Sequence, residues 1–210
     1  VKESVLEPLK YWENNVYGSI CLFNVMSEFN CNTIVFSSSA TIYGNSSDFP
    51  IPEDSRKSPR NPYGHTKAAI EEVLGDIFLA TNKTWKIANL RYFNPIGAHI
   101  SGLIGEDPIN NPNNIFPIIC NVAKRKESHL RIFGNDWPTE DGTCIRDYIH
   151  VMDLADAHRC TLHFLSQNSP QFINLNVGTG KGTSVLGLVK TFSIINNCEI
   201  PYEFFGRREG

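Results

Sequence analysis

A chain of 210 residues with 41% hydrophobic and 11% aromatic content is long enough for one or two small domains with a real core. Its net charge of −3, without a run of five like charges, argues against nucleic acid or an anionic membrane as partner. No apolar stretch reaches the roughly 18 residues of a membrane span, and the opening "VKESVLEPLKYW" has charges where a signal peptide has its apolar core, so a cytoplasmic protein is expected.

Residues 4–29 read as a helix, because Val5, Leu9, Trp12, Val16, Ile20, Phe23 and Val25/Met26 recur at three-to-four spacing, with Pro8 in the first turn. Thr33–Phe36 reads as a short buried strand running into three serines, and residues 40–62 as a loop rich in Ser, Asp and Pro. A helix from Tyr63 to about Ala80 and a strand over 85–92 follow. This order is the rhythm of a parallel sheet covered on both faces. Residues 96–143 are dense in Asn, Pro, Gly and Asp and suggest a cap built from loops, holding a helix in 114–126 and a strand at 129–133. Strand, helix, strand, helix and strand are then expected at 145–151, 152–167, 171–178, 184–195 and 200–205. The fold class expected is α/β, a doubly wound parallel sheet with a smaller second domain.

The six cysteines, Cys21, Cys31, Cys120, Cys144, Cys160 and Cys198, never fall within four residues of one another, and they read as reduced core residues. Asn45 and Asn82 begin glycosylation sequons that are expected to be unused.

Parallel sheets bind ligands beyond the carboxyl ends of their strands. The serines at 37–39 and "YFNP" at 92–95 fall there. Ser39 ends one strand, and Tyr63 opens the next helix with Lys67 four residues later on the same face. A lysine charge beside a phenol favours the phenolate and lowers its pKa from about 10 toward neutrality. Ser39 can then hydrogen-bond a substrate oxygen while Tyr63 takes or returns its proton. The plain alternative is a serine-rich loop beside an ordinary helix.

Other patterns read as structure. "GTGKGTS" at 178–184 resembles a phosphate loop, but Gly182 follows Lys181, so a strand-to-helix turn with Ser184 as N-cap is expected. His150, Asp153, Asp156 and His158 match no ligand motif; Asp153 is expected as a helix N-cap, and no metal is expected. Arg91 reads as a strand-end charge.

"SSSATIYG" followed by "NPYGHTK" resembles the extended short-chain dehydrogenase/reductase superfamily. "LRYFNPIGAH", "GEDPINNPNNIFP", "IFGNDWPTEDGTCIRDYIHVMDLADAH", "NVGTGKGTSVL" and "RREG" together narrow the resemblance to the UDP-glucose 4-epimerase family, over essentially all 210 residues. It implies a tightly held NAD and interconversion of UDP-glucose and UDP-galactose, as in galactose metabolism. Tyr63 would accept the 4-hydroxyl proton while C4 passes a hydride to NAD, Ser39 would bond O4, and Lys67 would bind the nicotinamide ribose. The 4-keto sugar would then turn over and take the hydride back on its other face. Asn14 and Phe93 would join Ser39, Tyr63 and Lys67 at the cofactor. Asn94, Asn114, Ile115, Ile132, Phe133, Arg146 and Arg208 would join Ser39 and Tyr63 at the UDP-sugar. Arg146 and Arg208 suit a diphosphate. Asn114 precedes an apolar helix pattern, so cap and ligand roles compete there.

The resemblance further implies an incomplete Rossmann-type NAD-binding domain (1–95 and 144–178), a partial UDP-sugar-binding domain (96–143 and 179–210), and a homodimer through helices 4–29 and 63–80. The family's glycine-rich dinucleotide loop would precede residue 1, and its C-terminal segment would follow residue 210. The 210 residues alone are therefore expected neither to retain NAD nor to act on UDP-sugars. Two alternatives stay open. A related sugar-nucleotide epimerase or dehydratase is one, although dehydratases place an acid pair after this strand and 37–47 holds no Asp or Glu. A non-catalytic nucleotide-sugar sensor is the other, although it need not keep an acid/base set.

Overall fold

The structure is a computed structural model and describes every residue except 1, 47, 48, 109–111, 113 and 208–210. Contacts divide the chain into two units. The first holds the residues up to Phe93 together with Asp153–Gly178.

This unit begins with helix α1 (Lys2–Leu6). Glu7 then leaves helical geometry at φ −128°, ψ 60°, because the residue before a proline is crowded out of the α region. Pro8 opens α2 (Pro8–Tyr11), where its missing N–H is not needed. A π-helical stretch, Trp12–Tyr17, leads into α3 (Gly18–Glu28), and the Gly18 N–H reaches back to the Glu13 carbonyl. The single helix expected over 4–29 is thus broken at Pro8 and carries a widened turn.

Strand β1 (Thr33–Ser39) runs three residues past its expected end, through the serines, because all seven residues pair with β2 (Lys86–Tyr92). Helix α4 (Pro62–Ala80) lies between them in sequence, and Asn61 Oδ1 caps it by accepting the Gly64 N–H at 2.9 Å. Strand β6 (Gln171–Val177) pairs parallel with the other side of β2, giving the order β1-β2-β6. Along β2 the side chains alternate. Ile87 packs with Phe23, Ile70, Leu74 and Trp85 on the α3/α4 face. Tyr92, on the opposite face, hydrogen-bonds His158 of α6 (Val151–Gln167). Helices therefore cover both faces of a parallel sheet, as expected.

The second unit holds Asn94–Met152 and the described residues from Thr179 onward. Short strand β3 (Asn94–Ile96) pairs parallel with β5 (Ile145–His150), which pairs antiparallel with β7 (Gly182–Ser184). Both partners of β5 lie in this unit, whereas the sequence division had put 144–152 with the first. Neither β3 nor β7 was expected, since three residues show no periodicity. Helix α5 (Ile115–Ala123), β4 (Leu130–Phe133), α7 (Val185–Asn196) and β8 (Tyr202–Phe205) surround a core of Ile119, Val122, Leu130, Ile132, Leu186 and Ile200. The helix and strand expected within the loop-rich segment 96–143 are thus present as α5 and β4. Ser184 caps α7 as expected, with the Gly187 N–H donating to its Oγ at 3.0 Å.

Asp153 does not cap α6, because the helix starts directly after β5 and places Asp153 inside its first turn. His150 Nδ1 instead accepts the Met152 N–H at 3.1 Å. Most cysteines are not core residues either: Cys21, Cys31 and Cys160 are exposed and the other three half-buried, with only Cys198 of the six packed against the core of the second unit among the described residues. Cys21 and Cys160 fall on the solvent sides of α3 and α6. No helix among the described residues is long and apolar enough to cross a membrane.

Candidate active site

β1 ends at Ser39, which is 7% exposed. Its Oγ accepts from the Thr41 N–H at 3.2 Å and the Thr41 hydroxyl at 2.9 Å, starting the 3-10 turn Ala40–Tyr43. Tyr63 stands in the first turn of α4, and the Ser39 hydroxyl is close enough to its phenol to act on the phenol's ionisation. One turn on, the Lys67 ammonium donates to the Ser37 carbonyl at 2.9 Å. It lies 5.0 Å from the centroid of the Phe36 ring and 5.7 Å from that of Tyr63. A strand end and a helix start, 24 residues apart, thus bring the three expected side chains together.

The electrostatics differ from the expectation. Burial pushes the Tyr63 phenol above its ordinary value, and the Ser39 hydrogen bond opposes this only in part. Burial also lowers the Lys67 ammonium. The lysine head sits over the face of the Tyr63 ring and is held by the Ser37 carbonyl. Desolvation, not the lysine charge, therefore sets the direction of the phenol's shift.

The other expected residues are distributed between the units. In the first, Asn14 is exposed in the π-helical stretch, and Phe93 is half-buried, its N–H donating to the Val177 carbonyl at 3.1 Å. It is Asn15 that reaches α4, donating to Thr66 Oγ1 at 3.0 Å. In the second, the Asn94 amide donates to the Asp147 carbonyl at 3.0 Å. Asn114 occupies the N-cap position of α5 without capping it, since its amide donates to Glu106 at 2.6 Å. Ile132 is buried in the core, with Ile115 packed against it. The Phe133 ring lies 6.1 Å from that of Phe205. Arg146 is exposed on β5 and donates to the Ile145 carbonyl at 2.9 Å. Arg208 lies outside the described residues. The turn at 178–181 has its donors occupied internally: Asp147 accepts the Thr179 and Gly180 N–H groups at 2.9 and 2.8 Å and the Thr179 hydroxyl at 2.6 Å.

Arg91 is the largest correction. It is 1% exposed and forms a two-pronged pair with Glu71, Nε to Oε1 at 3.0 Å and Nη2 to Oε2 at 2.8 Å. Sequence reasoning missed Glu71, although it continues the four-residue step of Tyr63 and Lys67 along α4.

The Lys67 ammonium has three donors, one of them on Ser37, so it suits the hydroxyls of a nicotinamide ribose. No G-x-G-x-x-G occurs among the 210 residues, so the pyrophosphate-binding loop of a dinucleotide site is not in this stretch.

Residues 1–178 match the NAD dependent epimerase/dehydratase family. The chain belongs to this family. It is 50% identical over 210 residues to the UDP-glucose 4-epimerase of Bacillus subtilis, covering all of this chain and 61% of that protein. It is also 50% identical to a UDP-glucose 4-epimerase of Cyamopsis tetragonoloba, of which it covers 60%. The epimerase/dehydratase chain thus spans about 60% of the length of the curated relatives it matches. Among solved structures, the UDP-glucose-4-epimerase of Stenotrophomonas maltophila, with bound NAD and formylated UDP-arabinopyranose, superposes with a TM-score of 0.95 at 45% identity. That alignment covers 100% of this chain and 62% of the other. The UDP-glucose 4-epimerase of Bifidobacterium longum, in complex with NAD+ and UDP, gives 0.94 at 42% identity, covering 99% of this chain and 62% of that one. The Rossmann-like parallel α/β fold is therefore shared with NAD-bound members of an NAD-dependent family.

Proposed function

We propose that the whole protein interconverts UDP-glucose and UDP-galactose, using NAD. The observation that supports this best is the convergence of Ser39, Tyr63 and Lys67 at the end of β1. The Ser39 hydroxyl acts on the Tyr63 phenol, so the two groups are close enough to address one substrate oxygen. Tyr63 takes the proton of the hexose 4-hydroxyl and later returns it to the 4-keto oxygen, while Ser39 holds that oxygen. Bound NAD supplies the acceptor and donor of the C4 hydride. Lys67 holds the nicotinamide ribose. Burial raises the Tyr63 phenol even with the Lys67 ammonium beside its ring, so to accept that proton it must first be ionised, which the added positive charge of an oxidised nicotinamide would favour. Asn94, Asn114, Ile115, Ile132, Phe133, Arg146 and Arg208 are assigned to the UDP-sugar, with the two arginines on the diphosphate. Hexose contacts must stay loose enough for the keto sugar to turn over.

The test is incubation of the whole protein with UDP-galactose without added NAD. UDP-glucose is expected to appear. No conversion, with or without added NAD, would overturn the proposal.

The same reading assigns a homodimer to the whole protein. Leu9, Trp12, Tyr17 and Ile20 line a shallow apolar depression on the outer face of the N-terminal helices, and Leu22, Val25, Phe29 and Leu79 are also exposed. A second copy packing helix against helix would cover them. Sedimentation at micromolar concentration is expected to show a dimer, and a monomer alone would refute this assignment.

A further inference from the structure

We propose that Glu71 and Arg91 form a positioning clamp that sets Ser39 against Tyr63 without touching substrate or cofactor themselves. The proposal rests on reading Ser39, Tyr63 and Lys67 as the acid/base set. Those residues come from two elements, and the loop 40–61 between them is long. Something must fix the strand end relative to the helix start, because a misplacement of about 1 Å can cost roughly a hundredfold in rate.

The clamp does this at three places. Ser38, the residue before Ser39, donates its hydroxyl to Glu71 Oε1 at 2.5 Å, linking β1 to α4. Arg91 stands opposite Ser38 in the sheet register and holds both oxygens of Glu71 in a planar fork, linking β2 to α4. Glu71 lies two turns, about 12 Å along the axis, from Tyr63, so holding it fixes the tilt of the helix that carries Tyr63 and Lys67.

The third place is the loop. Arg91 Nη1 donates to the Tyr43 hydroxyl at 2.7 Å and to the Glu53 carbonyl at 2.6 Å. Tyr43 donates in turn to Asn176 Oδ1 at 2.7 Å. Asn176, beside Arg91 in β6, returns to the loop: its N–H meets the Glu53 carboxylate at 3.0 Å and its amide donates to the Ile51 carbonyl at 2.7 Å. Lys57 adds an ion pair to Glu71 Oε2 at 3.2 Å. β1, β2, α4 and the loop thus meet on one guanidinium–carboxylate pair, and β6 joins it through Tyr43 and Asn176.

Stability does not require this arrangement, because a buried ion pair is often no better than apolar residues of the same volume. What the charged fork adds is direction. Each bond has a fixed angle and length, and an apolar contact has neither. The two groups also keep their charges. Burial works against the Glu71 carboxylate, but bonds from Arg91 and Ser38 and the charges of Arg91 and Lys57 hold it below its ordinary value.

The test replaces the pair by apolar residues of similar volume, Glu71→Leu/Arg91→Met, in the whole protein. A milder variant, Ser38→Ala, removes only the strand-side link and leaves the ion pair in place. The readout is the titration of the Tyr63 phenol, followed by NMR with ring-labelled tyrosine and assigned with Tyr63→Phe. Both variants are expected to raise its midpoint by about half to one pH unit, the worth of a weakened Ser39 hydrogen bond. In steady state kcat is expected to fall about ten- to hundredfold with KM little changed, as for misplaced reacting groups. A folded double variant, or Ser38→Ala, with unchanged Tyr63 titration overturns the clamp. A shifted titration in a protein whose wild type converts no UDP-sugar sustains the clamp and refutes the proposed epimerase reading instead.

Discussion

Tyr63→Phe is expected to lower turnover of UDP-galactose by the whole protein about 10²–10⁴-fold, the usual share of a positioned acid/base group. The substitution removes one hydroxyl and keeps the ring, which packs edge-on against Tyr11 with centroids 6.3 Å apart. The fold should therefore survive, and the loss falls on the proton transfer. Ser39→Ala should cost less, because the role proposed for Ser39 is to bond the substrate oxygen without exchanging a proton with it. Steady-state kcat for the two variants checks both statements. Turnover of Tyr63→Phe within a few-fold of wild type would remove Tyr63 from the mechanism.

Arg91→Met is expected to destabilise the protein by about 3–5 kcal/mol at neutral pH, the cost of leaving a buried charge without its partner. Glu71 is 2% exposed and would keep only Ser38 and Lys57. The loss should depend on pH in a defined direction. In the intact pair Glu71 is held below its ordinary value. Its share of stability is therefore complete above the unfolded carboxylate pKa and disappears as pH falls through that value toward the folded one. Without Arg91, burial should raise the carboxyl, and protonation then relieves the variant. The deficit should thus shrink on acidification from pH 7 to about 4.5, near the ordinary carboxylate range. Urea denaturation at the two pH values measures it. A deficit below about 1 kcal/mol at pH 7 would mean that Arg91 behaves like an exposed ion-pair residue.

Local rules set much of what was legible in the sequence. The βαβ order, the capping of α7 by Ser184 and the joint placement of Ser39, Tyr63 and Lys67 follow from periodicity, cap chemistry and the position of strand ends. The family resemblance rested on motifs spread over the chain, and the family match over residues 1–178 agrees with it.

Tertiary environment decided the rest. The Tyr63–Lys67 spacing was readable, but the sign of the phenol's shift was not, because burial depends on everything packed around the helix start. The Lys67 head settled over ring faces and on the Ser37 carbonyl, a partner from another element. Arg91 looked like a strand-end charge until Glu71, 20 residues away in sequence, closed on it. The break at Pro8 follows a local steric rule that the helical spacing of its neighbours had masked. The sequence by itself thus determined the main helices and strands and that Ser39 and Tyr63 stand at a strand end and a helix start, but not β3, β7 or the break at Pro8. Only the tertiary structure determined how those side chains are charged and held, because desolvation and long-range pairing belong to no single stretch of chain.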